Sequence, residues 1–156
     1  MKKWLFLLAI VILTTLQLSW PSFLNFFNCK PDLLLIFVAA LVFHTDFKTA
    51  LVFSILSGLA KDIFLPGMVA VNTISFTIWC YLIHRLSRQI STENDYVRLG
   101  IVLIAALFNN IIIGLQSINS GSIIAPGIFL RNLIIPSFYT VILAPLIFKL
   151  TKRITA

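Results

Sequence analysis

Long apolar runs separated by short polar breaks are the main pattern along this chain. The breaks delimit six runs, at about residues 4–24, 33–43, 49–65, 68–83, 99–118 and 128–148. A transmembrane helix needs about 20 predominantly apolar residues, and most of these runs are long enough or nearly so. The pattern therefore predicts an all-α membrane protein with one domain over residues 1–156, built as a polytopic bundle of six transmembrane helices.

The second run, residues 33–43, is the weakest of the six predicted spans. As a helix, its 11 residues would measure roughly 17 Å, against a hydrocarbon core of about 30 Å. Such a helix must be shielded by its neighbours, extended by its polar flanks or matched by local thinning of the bilayer. We therefore expect Asp32 and His44, at its two ends, to be drawn towards the membrane interior, where a polar side chain needs a partner.

The composition supports a membrane location, because 60% of the residues are hydrophobic and only 11% are charged. The mean hydropathy of +1.03 leaves too little polar surface to coat a water-soluble globule. A formal net charge of +7 would suggest nucleic acid as a partner of a soluble protein. In a membrane protein, basic residues first record topology, so no nucleic-acid partner is predicted.

The basic residues fix a predicted orientation through the positive-inside rule. With six spans and a cytoplasmic N-terminus, three of them lie outside, namely Lys30, Lys61 and Arg131. Nine lie inside: Lys2, Lys3, Lys48, Arg85, Arg88, Arg98, Lys149, Lys152 and Arg153. If residues 33–43 only dipped into the membrane, four would lie inside and eight outside. The rule therefore favours six spans with both termini in the cytoplasm.

Catalytic and metal-binding patterns are not found in the sequence. Cys29 and Cys80 lie far apart, without a CxxC spacing or a neighbouring histidine. The predicted topology separates the five acidic residues, and no zinc-protease, P-loop or nucleophile-elbow motif is present. We therefore predict a protein that is not an enzyme, with no catalytic residues, no metal site and no cofactor.

Adjacent opposite charges, Lys61 and Asp62, fall within the third apolar run. Lys61 has a long stem and is expected to extend outward, whereas Asp62 is expected to face the bundle interior. Gly58 lies on the same helical face as Asp62 and would let another helix approach closely. Asp62 either caps the next helix across the Pro66-Gly67 turn or bonds a polar neighbour, or else it takes part in partner docking or in a ligand pocket with Asn72.

Two segments, KPDLLLIFVAALVF at residues 30–43 and SGLAKDIFLPG at residues 57–67, resemble the rod shape-determining protein MreD family. Members carry a Pro-Asp before the second helix, a Gly four residues ahead of an Asp, and a Gly opening the fourth helix. Lys61 is a departure, since an apolar residue is more usual there. The candidate partner-binding or core polar residues are Pro31, Asp32, Gly58, Asp62, Gly67 and Asn72.

The resemblance implies a non-catalytic scaffold of the elongasome, in the bacterial cytoplasmic (inner) membrane. Such a protein is expected to bind an MreC-like membrane protein and membrane lipid. Through MreC it would connect indirectly to RodA, a class B penicillin-binding protein and MreB. It would thereby help to organise side-wall peptidoglycan synthesis and rod cell shape.

The resemblance also implies a fold similar to the S component of energy-coupling factor transporters, which supplies an alternative function. A small-molecule (vitamin) binding transporter subunit would dock through an Ala-x-x-x-Ala pattern on its first helix. Here Ala9 is followed at that spacing by Leu13. Asp62 with Asn72 would begin a ligand pocket, but the short loops offer few other polar groups.

Overall fold

The computed structural model describes residues 3–25, 28–64 and 70–156, and within these ranges the chain is all-α. The described part contains six α-helices and no β-strand, which confirms the all-α part of the predicted fold class. The helices are α1 (Lys3–Leu18), α2 (Leu33–His44), α3 (Phe47–Phe64), α4 (Val71–Gln89), α5 (Asp95–Asn119) and α6 (Pro126–Thr155). A short 3-10 turn, Ser22–Leu24, follows α1.

The helix ends differ from the apolar runs where local chemistry overrides hydrophobicity. The first run was predicted to be one helix to about residue 24, but α1 ends at Leu18, shortly before Pro21. Proline has no N–H to donate, so the chain restarts as a separate turn. The polar segment 84–98 is mostly helical, because α4 continues to Gln89 and Asn94 caps α5 through the Tyr96 amide at 3.3 Å.

Helix α2 is the centre of the bundle. All ten residues of its 33–42 stretch are buried, and the helix packs against each of the other five. A helix that is apolar on every side belongs in the interior. Of the three alternatives predicted for the short second run, the structure therefore shows shielding by neighbours.

Successive helices run in opposite directions, which gives the bundle two distinct ends. At one end Phe47, early in α3, lies 4.5 Å from His84, late in α4. Phe43, late in α2, lies 5.8 Å from Phe148 of α6 and beneath Arg98 of α5. We call this end the basic end, because it carries Lys3, Lys48, Arg85, Arg88, Arg98, Lys149, Lys152 and Arg153.

The outer surface of the bundle is largely apolar. Large exposed hydrophobic side chains occur on α1, α3, α4, α5 and α6, including Val11, Ile63, Ile74, Phe108 and Ile142. Two helices of the described part, α5 and α6, are long and apolar enough to cross a membrane. In the most apolar 18-residue stretch of each of these two helices, only 28% is buried in the bundle.

Candidate functional site

Asp32 lies at the start of the central helix, where its carboxylate is almost completely buried. Its Oδ1 accepts from the Leu35 amide at 3.2 Å and so caps α2. Its Oδ2 accepts from Lys61 Nζ at 2.5 Å and from Asn109 Nδ2 at 3.2 Å. The Asp32 amide donates to Thr140 Oγ1 at 3.1 Å. One residue therefore joins α2 to α3, α5 and α6.

The fourth helix is joined to the same group of residues. The Asn109 side-chain oxygen accepts from Ser75 Oγ at 2.7 Å. Lys61 Nζ also lies 5.3 Å from the ring centroid of Phe76 in α4, a distance at which an ammonium and an aromatic face attract. We call this set, Asp32, Lys61, Ser75, Asn109 and Thr140, the polar core. It connects five of the six helices through buried side chains.

Helix polarity favours the sign of each charge in this pair. Asp32 precedes the first turn of α2, where the positive end of the helix dipole stabilises an anion. Lys61 lies in the last turn of α3, where the negative end stabilises a cation. The two ions neutralise each other in the bundle interior. Burying either ion without the other would carry a large desolvation free energy.

The prediction for Lys61 was wrong. It was expected to extend outward, yet its exposed fraction is 7% and its ammonium points inward to Asp32. A lysine on an apolar helix taken by itself would extend its ammonium outward to water. The buried carboxylate at the start of α2 supplies a partner that makes an inward position favourable, as the expected need of Asp32 for a partner indicated.

Asp62 is half-buried and caps a neighbouring helix. Its Oδ1 accepts from the Asn72 amide at 3.1 Å and from Asn72 Nδ2 at 2.9 Å. Its Oδ2 accepts from the Thr73 amide at 2.9 Å and from Thr73 Oγ1 at 2.6 Å. Ala70, at the N-cap position of α4, has a φ of 56° and no side-chain cap. Asp62 supplies from α3 the acceptor that Ala70 lacks, so the capping contact is present in the structure.

Gly58 allows the backbones of α3 and α4 to approach closely, as predicted. A Cβ atom at this position would lie 2.8 Å from the Thr73 amide nitrogen and 3.0 Å from the Asn72 carbonyl oxygen. Real Cβ atoms do not come that near to backbone atoms without displacing them. Gly58 and Asp62 therefore fix the start of α4 against the end of α3.

Five of the six predicted candidate residues lie in the described ranges, where they fall into two neighbouring groups. Pro31 is buried directly before Asp32, which belongs to the polar core, while Gly58, Asp62 and Asn72 form the α3–α4 contact. Gly67 lies outside the described residues. The sequence does not single out Asn109, Ser75 or Thr140 as partners of Asp32. Each of these residues is polar within an apolar run, which indicates that it needs a polar partner. The sequence does not reveal on which helix that partner lies.

Among the described residues there is no group of three His, Cys, Asp or Glu side chains that could hold a metal ion. Cys29 and Cys80 are both buried and are not joined by a disulfide. Burial raises the pKa of the Cys29 thiol, an effect that the charge of Arg131 partly opposes. The protonated thiol can therefore donate to Asn132 Oδ1, which lies 3.8 Å away.

Comparison with known protein families identifies the chain. A family model for the rod shape-determining protein MreD matches residues 1–154. The chain belongs to the MreD family. MreD proteins are membrane proteins that determine rod shape, which agrees with the two apolar helices that could cross a membrane. No curated protein and no solved structure matches the chain.

Proposed function

We propose that this MreD-family chain is a non-catalytic membrane scaffold of the bacterial elongasome. It binds an MreC-like membrane protein and is connected through it to RodA, a class B penicillin-binding protein and MreB. Its role is to help organise side-wall peptidoglycan synthesis and rod cell shape. The observation that carries this proposal is the family match over residues 1–154 of a 156-residue chain.

We further propose that all six helices of this single domain span the inner membrane. The apolar outer surface supports this, because a helix in the core of a soluble protein would be mostly buried. The short α2 is enclosed by its neighbours, so it needs no lipid-facing surface of its own. The predicted similarity to transporter S components remains an expectation from the family resemblance.

The distribution of charge supports cytoplasmic N- and C-termini. The basic end carries eight of the twelve Lys and Arg residues of the chain, and both α1 and α6 have a terminus there. The opposite end carries Lys30, Lys61 and Arg131, and the Lys61 charge is paired inside the bundle. Under the positive-inside rule, this distribution supports a cytoplasmic location of the basic end.

The partner-binding surface that we propose lies beside the α3–α4 contact. Ile63 and Phe64, directly after Asp62, have exposed fractions of 73% and 53%, and Ile74 is exposed on α4. Gly58 and Asp62 fix the two helix ends that present these side chains. A partner helix would bind there by packing and a few polar contacts, with no covalent step.

Co-purification from the native bacterium tests the proposal. The tagged chain, extracted in mild detergent, should recover an MreC-like protein, and Asp62→Leu or Gly58→Leu should reduce that recovery. Ile142→Ala, a change on the exposed face of α6, serves as the control and should leave recovery unchanged. Full recovery with both variants correctly folded would remove this surface from the interface. Recovery of an ATPase-linked transport module instead would favour the vitamin-transporter alternative.

A further inference from the structure

A cavity of about 600 Å³ opens at the basic end, between the end of α2, the start of α5 and the later part of α6. Its charged and polar lining includes His44, Glu93, Asp95, Arg98, Lys149 and Lys152. The volume falls within the range of roughly 300–1,000 Å³ that is usual for small-molecule sites. The cavity is separate from the polar core, which lies at the other end of the bundle.

The two lysines and the two carboxylates of the lining lie on different walls of this cavity. Lys149 and Lys152 are three residues apart on α6, so they share one helical face. Glu93 and Asp95 lie opposite, just before and at the start of α5. Among the side chains that the structure describes, the two lysines and Glu93 form no ion pair. Asp95 has only a 3.6 Å contact with Arg98.

Arg98 lies on the same wall as Asp95, at the start of α5, and is held in place there. Its Nε donates to the Thr92 carbonyl at 2.6 Å, and its guanidinium lies 5.7 Å from the ring centroid of Phe43. Pro145 and Phe148 add apolar side chains to the lining. A site of this kind suits a ligand with a polar head and an apolar continuation.

We propose that the cavity binds the headgroup of a phospholipid that carries both a phosphate and a primary ammonium, as phosphatidylethanolamine does. The phosphate lies between Lys149 and Lys152, and the ammonium lies at Glu93 and Asp95. The lining contains three permanent cations and two carboxylates, so a headgroup with both signs matches it better than an anion alone. Basic pockets between membrane helices at the cytoplasmic side are known headgroup sites.

The depth of the site agrees with this ligand. Lys149 directly follows the last predicted span, residues 128–148, and so lies at the level of the lipid headgroups. Pro145 and Phe148, within the preceding turn, are placed to contact the start of the acyl chains. This inference rests on the membrane placement in the proposed function, but it does not depend on the protein partner.

Lipid retention by the purified full chain tests the inference. The chain, in detergent, is titrated with phosphatidylethanolamine, phosphatidylglycerol or inorganic phosphate, and bound species are measured by native mass spectrometry. We expect phosphatidylethanolamine to bind most tightly. Removing two charge-assisted contacts through Lys149→Gln with Lys152→Gln should weaken its binding by about tenfold or more. Glu93→Gln with Asp95→Asn should abolish the preference over phosphatidylglycerol.

The matched control is Lys48→Gln with Arg153→Gln, which removes the same charge from the basic end outside the cavity lining. It should leave the binding of phosphatidylethanolamine unchanged. Equal binding of the two lipids by the wild-type chain, or equal losses in the control and the lysine pair, would overturn the inference. Inorganic phosphate binding as tightly as lipid would show a site for a soluble anion instead. No partner protein is present, so failure here is distinct from failure to recover an MreC-like protein.

Discussion

The ammonium of Lys61 and the carboxylate of Asp32 meet at 2.5 Å inside the bundle, although 29 positions separate them in the chain. The contact joins the last turn of α3 to the start of α2. Each charge is acceptable in the interior only because the other is present, so the pair specifies how these two helix ends are positioned. This interdependence gives the first prediction.

Lys61→Met should destabilise the protein by about 3–5 kcal/mol, because it leaves Asp32 as a buried charge without its counter-ion. The measurement is thermal or denaturant unfolding of the purified chain in detergent. Lys48→Met is the control. Because Lys48 is exposed on the same helix, this variant should lose little stability.

Adding Asp32→Asn to Lys61→Met should restore much of the lost stability. Asparagine keeps an oxygen that can cap α2, and it removes the negative charge that the methionine side chain cannot neutralise. A double variant no more stable than Lys61→Met alone would contradict a direct pairwise role for the two charges.

Asp62→Leu should loosen the start of α4, because it removes the acceptor for the Asn72 and Thr73 amides. The expected loss of stability is about 0.5–2 kcal/mol, the range measured for removal of a helix cap. Hydrogen–deuterium exchange should accelerate at those two amides and remain unchanged at Trp79 and Cys80, which lie further along the same helix. Unchanged exchange at Asn72 and Thr73 would rule out the capping role.

Gly58→Ala should separate α3 from α4, since the new methyl group would contact the α4 backbone. Gly100→Ala is a matched control, because nothing lies within 4 Å of a Cβ atom at that position in α5. The control should be neutral or up to about 1 kcal/mol more stable, as alanine favours a helix over glycine. A Gly58 variant as stable as the Gly100 variant would be inconsistent with the close approach.

Cysteine labelling in intact cells should report the proposed orientation. In a Cys29→Ser, Cys80→Ala background, Ala156→Cys should react with an impermeant reagent only after the membrane is opened. Ser122→Cys, in the loop between α5 and α6, should react without opening it. Reaction of Ala156→Cys from outside would reverse the orientation.

The helices could largely be predicted from apolar runs, since each run that the structure describes contains one helix. The ends were less predictable, because Pro21 and Asn94 act through local backbone chemistry that hydropathy does not register. Charge partners were the least predictable feature. The inward position of Lys61 depends on Asp32, and a contact between distant positions leaves no local pattern in a single sequence.

The complete enclosure of α2 has a consequence for biogenesis. The ribosome releases this helix early, yet α6, which supplies Thr140 to the N-cap residue Asp32, is synthesised after the other five helices. Until α6 arrives, one side of α2 contacts lipid or an insertion factor instead of protein. The nascent chain therefore reaches its final arrangement only after translation of α6, and truncation before residue 126 should yield an assembly intermediate that quality-control proteases recognise.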